Sequence, residues 1–144
     1  MKALIAAMLV VVSMSTGLAV AGEKTVVRPK GAEPSASWSH GLLQDGTLYV
    51  SGMGGENASG AIPPTFEAEV KQSLANIDAV LKAAGMSSAN VVSVQVYLTD
   101  GKLFDRMNAV YKGYFAEPRP TRTTVIVAGL VGSGHIEITA TARK

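Results

Sequence analysis

Two residues of this chain have the chemical character and the position to act on a small molecule. Arg122 lies between Pro120 and a run of β-branched residues, where a strand is expected to begin. It is either a surface charge or a guanidinium fork that binds a carboxylate through two parallel hydrogen bonds. Glu137 lies mid-strand between two isoleucines. It faces either bulk solvent or a cleft, where its carboxylate would orient or deprotonate a water molecule.

The chain lacks the signatures of the common catalytic and metal sites. It has no Gly-x-Ser-x-Gly elbow, no phosphate-binding loop, no His-Glu-x-x-His motif and no cysteine. Without cysteine there are no disulfides, thiol nucleophiles or thiolate metal ligands. His40 and His135 have no acidic residues around them at ligand spacing, so we expect no metal site.

The beginning of the chain has the pattern of a secretory signal peptide over residues 1–21. Lys2 is the only charge before Glu23, residues 3–12 are apolar, and Ala19-Val20-Ala21 is a small-x-small triplet that signal peptidase accepts. A membrane-spanning helix needs about 20 apolar residues, and this core is shorter and interrupted by polar and small residues. We therefore expect cleavage after Ala21 and export to the periplasm or out of the cell.

The rest of the chain is expected to form a leader over residues 22–36 and one folded domain over 37–144. Pro29, Pro34 and the polar residues around them indicate the leader. Cleavage of the signal peptide would remove Lys2 and lower the formal charge from +2 to about +1. The remaining lysines and arginines are scattered singly. A nucleic-acid surface needs clustered basic residues, so we expect no nucleic-acid partner.

The clearest predicted element is an amphipathic helix after the glycine-rich loop 53–64. Its apolar residues are spaced four, four, three, four and three apart, as on one helical face: Phe66, Val70, Leu74, Ile77, Leu81 and Ala84. Thr65 suits the N-cap and Gly85 the C-terminal stop. Glu67 and Glu69 suit the positive end of the helix dipole.

Alternation and helical spacing predict the remaining elements. Residues 91–98 alternate, with Val92, Val94, Val96 and Leu98 on one face and Ser93, Gln95 and Tyr97 on the other. A second helix is expected over 103–115, with an apolar stripe of Leu103, Met107, Val110, Tyr111 and Tyr114. Further strands are expected over 46–51, 123–128 and 135–143.

The order strand, strand, helix, strand, helix, strand, strand predicts an α+β domain in which two helices cover one face of a mixed sheet. The opposite face is semi-polar, with Tyr49, Ser93, Gln95, Tyr97, Glu137 and Thr139. It lacks the lysines and glutamates of a solvated sheet. Such a face is often covered by another subunit, so we expect a homo-oligomer.

Six segments in the same order resemble the Rid family, the reactive intermediate deaminases, also called the YjgF/UK114 family. They are Ser51-Gly52, residues 75–85 (ANIDAVLKAAG), 96–100 (VYLTD), 107–111 (MNAVY), 119–125 (RPTRTTV) and 135–140 (HIEITA). Together they span nearly all of residues 37–143. No single segment is decisive, but all six keep their order over a hundred residues of the chain.

The resemblance implies a chorismate-mutase-like subunit that forms a homotrimer with ligand clefts between neighbouring subunits. Active members hydrolyse enamines and imines to 2-keto acids and ammonia, and they use no cofactor. By matched position, Arg122 would bind the substrate carboxylate and Glu137 would hold the attacking water. Ser51 and Gly52 would line the cleft, and Asn108 matches a position that the family often fills with asparagine.

The chain departs from the family at the rim of this cleft. Trp38 stands where the best-known deaminases have a tyrosine, and indole can wall a pocket but cannot act as an acid as phenol does. Met53 replaces a usual glutamine, glycines replace the Ile-Pro that follows it, and Thr124 replaces a common cysteine. Substrate choice is therefore not carried over from the family.

Two functions remain open from the sequence, a third is less favoured, and for a fourth, a holdase-like chaperone, the sequence offers no test. One is an imine/enamine deaminase that acts on substrates such as 2-iminobutanoate. The second is a non-catalytic trimer that captures a small carboxylate through Arg122. Ribonuclease or translation-inhibitor activity, reported among relatives, is disfavoured because the chain is nearly neutral and carries an export signal.

Overall fold

A computed structural model describes residues 22–144, so the predicted signal peptide over 1–21 lies outside the described residues. The fold has six strands and two α-helices: β1 (Thr25–Val27), β2 (Gly41–Gln44), β3 (Thr47–Gly54), α1 (Phe66–Ala83), β4 (Val91–Leu98), α2 (Phe104–Tyr111), β5 (Thr121–Ile126) and β6 (Ile136–Arg143). In this part of the chain, no helix is both long enough and apolar enough to cross a membrane.

The strands form one mixed sheet in the order β1-β2-β3-β6-β4-β5. β5 runs parallel to β4, and all the other neighbours are antiparallel. Both helices pack on one face, as the order of elements predicts. Strand β1 lies inside the segment interpreted as a leader and pairs with β2 along its whole length.

Helix α1 forms for the reasons its sequence suggests. The Thr65 side chain accepts a hydrogen bond from the Ala68 amide at 3.3 Å, which satisfies one of the free amides of the first turn. Gly85 adopts a φ of 67°, the left-handed conformation that ends many helices. The predicted stripe is buried from Phe66 to Ala84, and it packs on β3 and β6.

The core lies between the helices and the covered face of the sheet. Its fully buried members include Val70, Ile77 and Leu81 from α1, Met107 from α2, and Leu48, Val96, Ile136 and Ile138 from the sheet. The second helix ends at Tyr111 rather than at Phe115, and turns continue the chain to Tyr114. Phe115 is nevertheless buried, because this turn folds back onto the core.

Two β-bulges modify the alternation that the sequence suggests. In β4, Val91 and Val92 together oppose Ala142, so Val91 points into the core and Val92 is 50% exposed. The prediction that Val92 lies on the buried face is therefore wrong. In β3, Ser51 and Gly52 together oppose Thr139 of β6. This second bulge extends β3 to Gly54, two residues into the stretch that the glycines suggested was a loop.

The opposite face of the sheet is not covered by any element described in residues 22–144. It carries Tyr49, which is 53% exposed, Val125, and a small polar group around Gln95. The Gln95 side-chain oxygen accepts hydrogen bonds from the hydroxyls of Tyr97 at 3.2 Å and Thr139 at 3.1 Å. This is the semi-polar, uncovered face that the sequence predicts.

Candidate active site

Glu137 lies near the start of β6 and points to the open face of the sheet, because its neighbours Ile136 and Ile138 are fully buried on the other face. Its carboxylate lies against the backbone of Gly52, in the β3 bulge. A β-carbon at position 52 would collide with the Glu137 Oε1 atom. The carboxylate forms no ion pair within residues 22–144. It is therefore available to a water molecule or a ligand.

The Glu137 carboxylate borders a cavity of about 840 Å³, which Gln72 and Asn76 of α1 also line. Gly52 and Met53 form one wall, and the segment that carries Trp38 and His40 forms another. The rings of Trp38 and His40 are tilted against each other with centroids 4.6 Å apart. We call this space the Glu137 cavity; its volume is that of a typical site for a small molecule.

Ser51 connects the two walls of the Glu137 cavity. Its hydroxyl donates to the Ser39 carbonyl at 2.6 Å, and its amide donates to the His40 carbonyl at 3.0 Å. The hydroxyl thus fixes the segment that carries Trp38. Of the predicted ligand-binding residues, Trp38 and Gly52 border the cavity directly, while Ser51 holds Trp38's segment in position.

Arg122 lies on β5 and points to the face that carries the helices. It pairs in register with the buried Val94, and its guanidinium meets α2. The Nη1 atom donates to Asn108 Oδ1 at 2.8 Å, and the Cζ atom lies 4.6 Å from the centroid of the Tyr111 ring. A second cation–π contact joins the Cζ atom to the Phe104 ring, 5.7 Å from its centroid. The Asn108 hydrogen bond and the two ring contacts therefore orient the fork, and they leave other N–H groups free for an anion.

The surroundings of Arg122 form a second, shallower cavity of about 450 Å³, which we call the Arg122 cavity. Asn108, Tyr111, Arg119 and Pro120 line it. Burial raises the pKa of the Tyr111 hydroxyl, although the nearby Arg122 charge opposes the shift. Tyr111 therefore stays neutral at physiological pH. Its hydroxyl and that of Thr124 are buried without a hydrogen-bond partner in the described chain.

One chain does not bring Arg122 and Glu137 together. Their side chains project from opposite faces of the same sheet, and each borders a separate cavity. A site that uses both residues needs the Arg122 cavity of one molecule to meet the Glu137 cavity of another. The geometry thus fits the intersubunit cleft that the sequence resemblance implies.

Glu69 is a structural residue of the site that the sequence analysis missed. It is 1% exposed, and its carboxylate accepts hydrogen bonds from the amides of His135 and Ile136 and lies 2.9 Å from His135 Nδ1. It thereby fixes the start of β6, two residues before Glu137. The available signal was its position: Glu69 falls on the apolar side of α1, between Phe66 and Val70.

Comparison with known proteins assigns the chain to a family. Residues 29–144 match the family model described as "Endoribonuclease L-PSP". A Bos taurus protein named "2-iminobutanoate/2-iminopropanoate deaminase" is 40% identical over 121 residues, which cover 83% of this chain and 88% of that protein.

Solved structures support the same relationship. A putative endoribonuclease L-PSP from Entamoeba histolytica has a TM-score of 0.79 and 30% identity, covering 85% of this chain and all of that one. The YjgF gene product from E. coli has a TM-score of 0.77 and 29% identity, covering 83% of this chain and 98% of that one. The mixed sheet with two helices is thus the chorismate-mutase-like fold of these proteins, and the chain belongs to the Rid family of YjgF/UK114 proteins.

Proposed function

We propose that this protein is a hydrolytic deaminase that converts small enamine and imine acids, such as 2-iminobutanoate, to 2-keto acids and ammonia. The observation that carries the proposal is the Glu137 carboxylate, which lies unpaired against Gly52 at the wall of a cavity of about 840 Å³. The 40% identity to a protein named as a deaminase of this kind supports the choice of reaction.

The active site we propose is shared between neighbouring subunits of a homotrimer. Arg122 of one subunit would close over the Glu137 cavity of the next, because the two side chains leave their own sheet on opposite faces. The uncovered face, with Tyr49 and Val125 exposed, supports association. A cyclic trimer of this kind would contain three equivalent clefts.

Arg122 would bind the substrate carboxylate as a bidentate pair. Asn108 and the Tyr111 ring already hold the guanidinium, so less side-chain entropy is lost when the substrate binds. The clamp would place the C2 atom of the imine beside the water held by Glu137. Positioning of this kind supplies much of the rate when the electrophile is already reactive.

Hydrolysis then needs one water molecule and one carboxylate. An enamine first tautomerises to the imine. Glu137 accepts a proton as the water oxygen bonds to C2, the C=N electron pair moves to nitrogen, and Glu137 returns the proton to that nitrogen to give a carbinolamine. Glu137 then takes the carbinolamine hydroxyl proton and passes it to the amino nitrogen as the C=O bond forms and the C–N bond breaks, which releases ammonia. The Glu137 carboxylate, which lies against Gly52, would transfer these protons.

The deaminase proposal is tested by supplying 2-iminobutanoate in situ from a threonine dehydratase reaction and measuring the rate of imine loss. We expect Glu137→Ala to lower kcat by a factor on the order of a hundred or more. Arg122→Ala should raise KM and lower kcat/KM by a similar factor. Arg119→Ala is the matched control for Arg122→Ala, since Arg119 lines the Arg122 cavity but pairs with Glu117. It should keep the wild-type kcat/KM.

The outcomes separate the deaminase from the non-catalytic carboxylate-binding trimer. A wild-type rate equal to that of buffer would reject the deaminase. Binding of 2-ketobutyrate that is lost in Arg122→Ala and kept in Glu137→Ala, without turnover in any form, would establish the binding protein. A monomer by light scattering would reject the shared site for both functions.

We further propose that the protein acts in the periplasm or outside the cell after cleavage at Ala21. The support is the apolar segment and the Ala19-Val20-Ala21 triplet. Its substrate must then come from an exported enzyme that releases imines, such as an amino-acid oxidase. N-terminal sequencing of the protein from the exported fraction should begin at Gly22, and a cytoplasmic protein that retains Lys2 would contradict this.

A further inference from the structure

We propose that Glu56 makes the enzyme selective for 2-imino acids whose side chain carries a cation, a guanidinium or an ammonium group. The inference rests on the proposed deaminase reaction and concerns its substrate class. Glu56 lies two residues beyond the end of β3 and borders the Glu137 cavity. This carboxylate belongs to none of the sequence motifs described above, and the proposed hydrolysis does not use it.

The Glu56 carboxylate folds back over Gly54. A β-carbon at position 54 would collide with its Oε2 atom, so the glycine is what permits this conformation. On the other side, β-carbons at Gly132 and Gly134 would lie 3.8 and 3.9 Å from Oε1. The position of the carboxylate therefore depends on Gly54, and β-carbons at 132 and 134 would make only ordinary contacts with it. A larger residue at position 54 would force it out of the cavity.

The backbone that carries Glu56 is held in place by α1. The Asn76 side-chain amide donates to the carbonyls of Gly54 and Glu56, both at 2.9 Å, and Gln72 donates to Asn76 Oδ1 at 2.9 Å. The buried Ser73 hydroxyl donates to the Met53 carbonyl at 2.8 Å. These bonds fix the segment before any ligand arrives, which is the preorganisation that a specificity group requires.

The Glu137 and Glu56 carboxylates lie side by side along β3. The Glu137 carboxylate lies against Gly52 and the Glu56 carboxylate against Gly54, and these two glycines are about 7 Å apart along the strand. A substrate bound with its C2 atom beside Glu137 can thus extend a side chain along β3 towards Glu56. The side chain of a basic amino acid has both the length and the terminal charge for this.

The negative charge of Glu56 decides which substrate side chains bind well beside it. Neither Glu56 nor Glu137 forms an ion pair within residues 22–144, and Lys30 is the only lysine or arginine that borders this cavity in the described chain. Covering Glu56 with an uncharged side chain removes water from a carboxylate without replacing its hydrogen bonds, which is unfavourable. A guanidinium or ammonium group replaces them with charge-assisted bonds.

The test compares two imines of nearly identical shape that an amino-acid oxidase generates in situ, one from arginine and one from citrulline. The guanidinium of the first is a neutral urea in the second. We expect the wild-type kcat/KM to favour the arginine-derived imine by about tenfold or more. In Glu56→Gln this ratio should fall to about one. Raising the ionic strength should lower the wild-type ratio, because the pair is partly exposed.

Glu33→Gln is the matched control, since Glu33 is an exposed carboxylate at the rim of the same cavity without the glycine-lined placement of Glu56. It should keep the wild-type ratio. A wild-type protein that hydrolyses neither imine rejects the deaminase proposal itself. A protein that hydrolyses both with equal kcat/KM, or a Glu56→Gln variant that keeps the wild-type ratio, rejects the role of Glu56 and leaves the deaminase proposal standing.

Discussion

The backbone of Gly52 lies directly against the carboxylate of Glu137. The contact lies at the bulge in β3, which sets Ser51 and Gly52 opposite the single residue Thr139. Ser51 uses its hydroxyl to hold Ser39, so the bulge also fixes the wall that carries Trp38. One local irregularity therefore positions both sides of the Glu137 cavity.

Gly52→Ala should impair catalysis more than folding. The new β-carbon would meet Glu137 Oε1, and the glutamate side chain would rotate away from its position in the cavity. Because a displacement of about 1 Å can cost a hundredfold in rate, we expect kcat for 2-iminobutanoate to fall by roughly that factor. Thermal unfolding monitored by circular dichroism should show a folded protein.

Gly101→Ala is the control for adding a methyl group to a glycine. Like Gly52, Gly101 has no positive φ, and a β-carbon there would meet only Ile126 Cγ1, at 4.0 Å. This variant should keep the wild-type fold and the wild-type kcat. If Gly52→Ala retained full kcat, the position of the Glu137 carboxylate would not matter for the reaction.

Asn108 should control how well Arg122 binds a carboxylate. Asn108→Ala removes the 2.8 Å hydrogen bond and frees the guanidinium, which should raise KM several-fold. Asn108→Asp adds a competing carboxylate at the same distance and should raise KM further, by about tenfold or more. Calorimetric titration with 2-ketobutyrate should show dissociation constants that rise in the same order, from wild type to Asn108→Ala to Asn108→Asp. Equal affinity in all three proteins would show that Asn108 does not position Arg122.

Helix α1 was predictable from sequence because its packing is regular. The stripe from Phe66 to Ala84 repeats at helical spacing, and the cap at Thr65 follows from its hydroxyl, so both predictions are confirmed. The bulges were not predictable, since a bulge depends on the pairing of two distant strands. This is why Val92 was assigned to the wrong face and β3 was predicted to end too early.

A residue of the candidate site could be predicted only where its own type and position in the sequence are unusual. Arg122 and Glu137 are unusual by residue type and position, so the sequence singles them out, and their roles in the site stay predictions. Glu69 and Glu56 were not singled out, because their roles depend on contacts across the fold. Glu69 meets the amide of Ile136, 67 residues away. Glu56 takes its position because Gly54 has no side chain and Asn76 of α1 holds its backbone carbonyl.

Glu69→Ala should strongly destabilise the protein. The substitution leaves the amides of His135 and Ile136 without their acceptor in a buried place, and it also removes the partner of the His135 ring. We expect the free energy of unfolding to fall by about 2–4 kcal/mol, measured by urea denaturation. Glu69→Gln should lose less, because its carbonyl oxygen can still accept one bond.

Lys71→Ala is the control on the same helix. Lys71 is exposed and should change the free energy of unfolding by less than about 0.5 kcal/mol. A Glu69→Ala protein as stable as Lys71→Ala would mean that water satisfies the two amides as well as the carboxylate does.

The ion pair between the two helices should be visible in the acid titration of Glu67. Arg106 donates from Nε to Oε1 at 2.7 Å and from Nη2 to Oε2 at 2.9 Å, and this bidentate pair lowers the pKa of Glu67 from 4.5 to about 2. Because the folded pKa lies below the unfolded one, the contribution of Glu67 to stability is complete above pH 4.5. It is lost as the pH falls through about 2.

Carboxyl-carbon NMR of the wild type should place the Glu67 titration near pH 2, and Arg106→Ala should move it towards 4.5. Arg28→Ala is the control, since it removes an exposed arginine from the chain beyond β1 and should leave the Glu67 midpoint unchanged. A wild-type midpoint already near 4.5 would show that the pair opens in solution. Because both groups are exposed, added salt should also raise the wild-type midpoint.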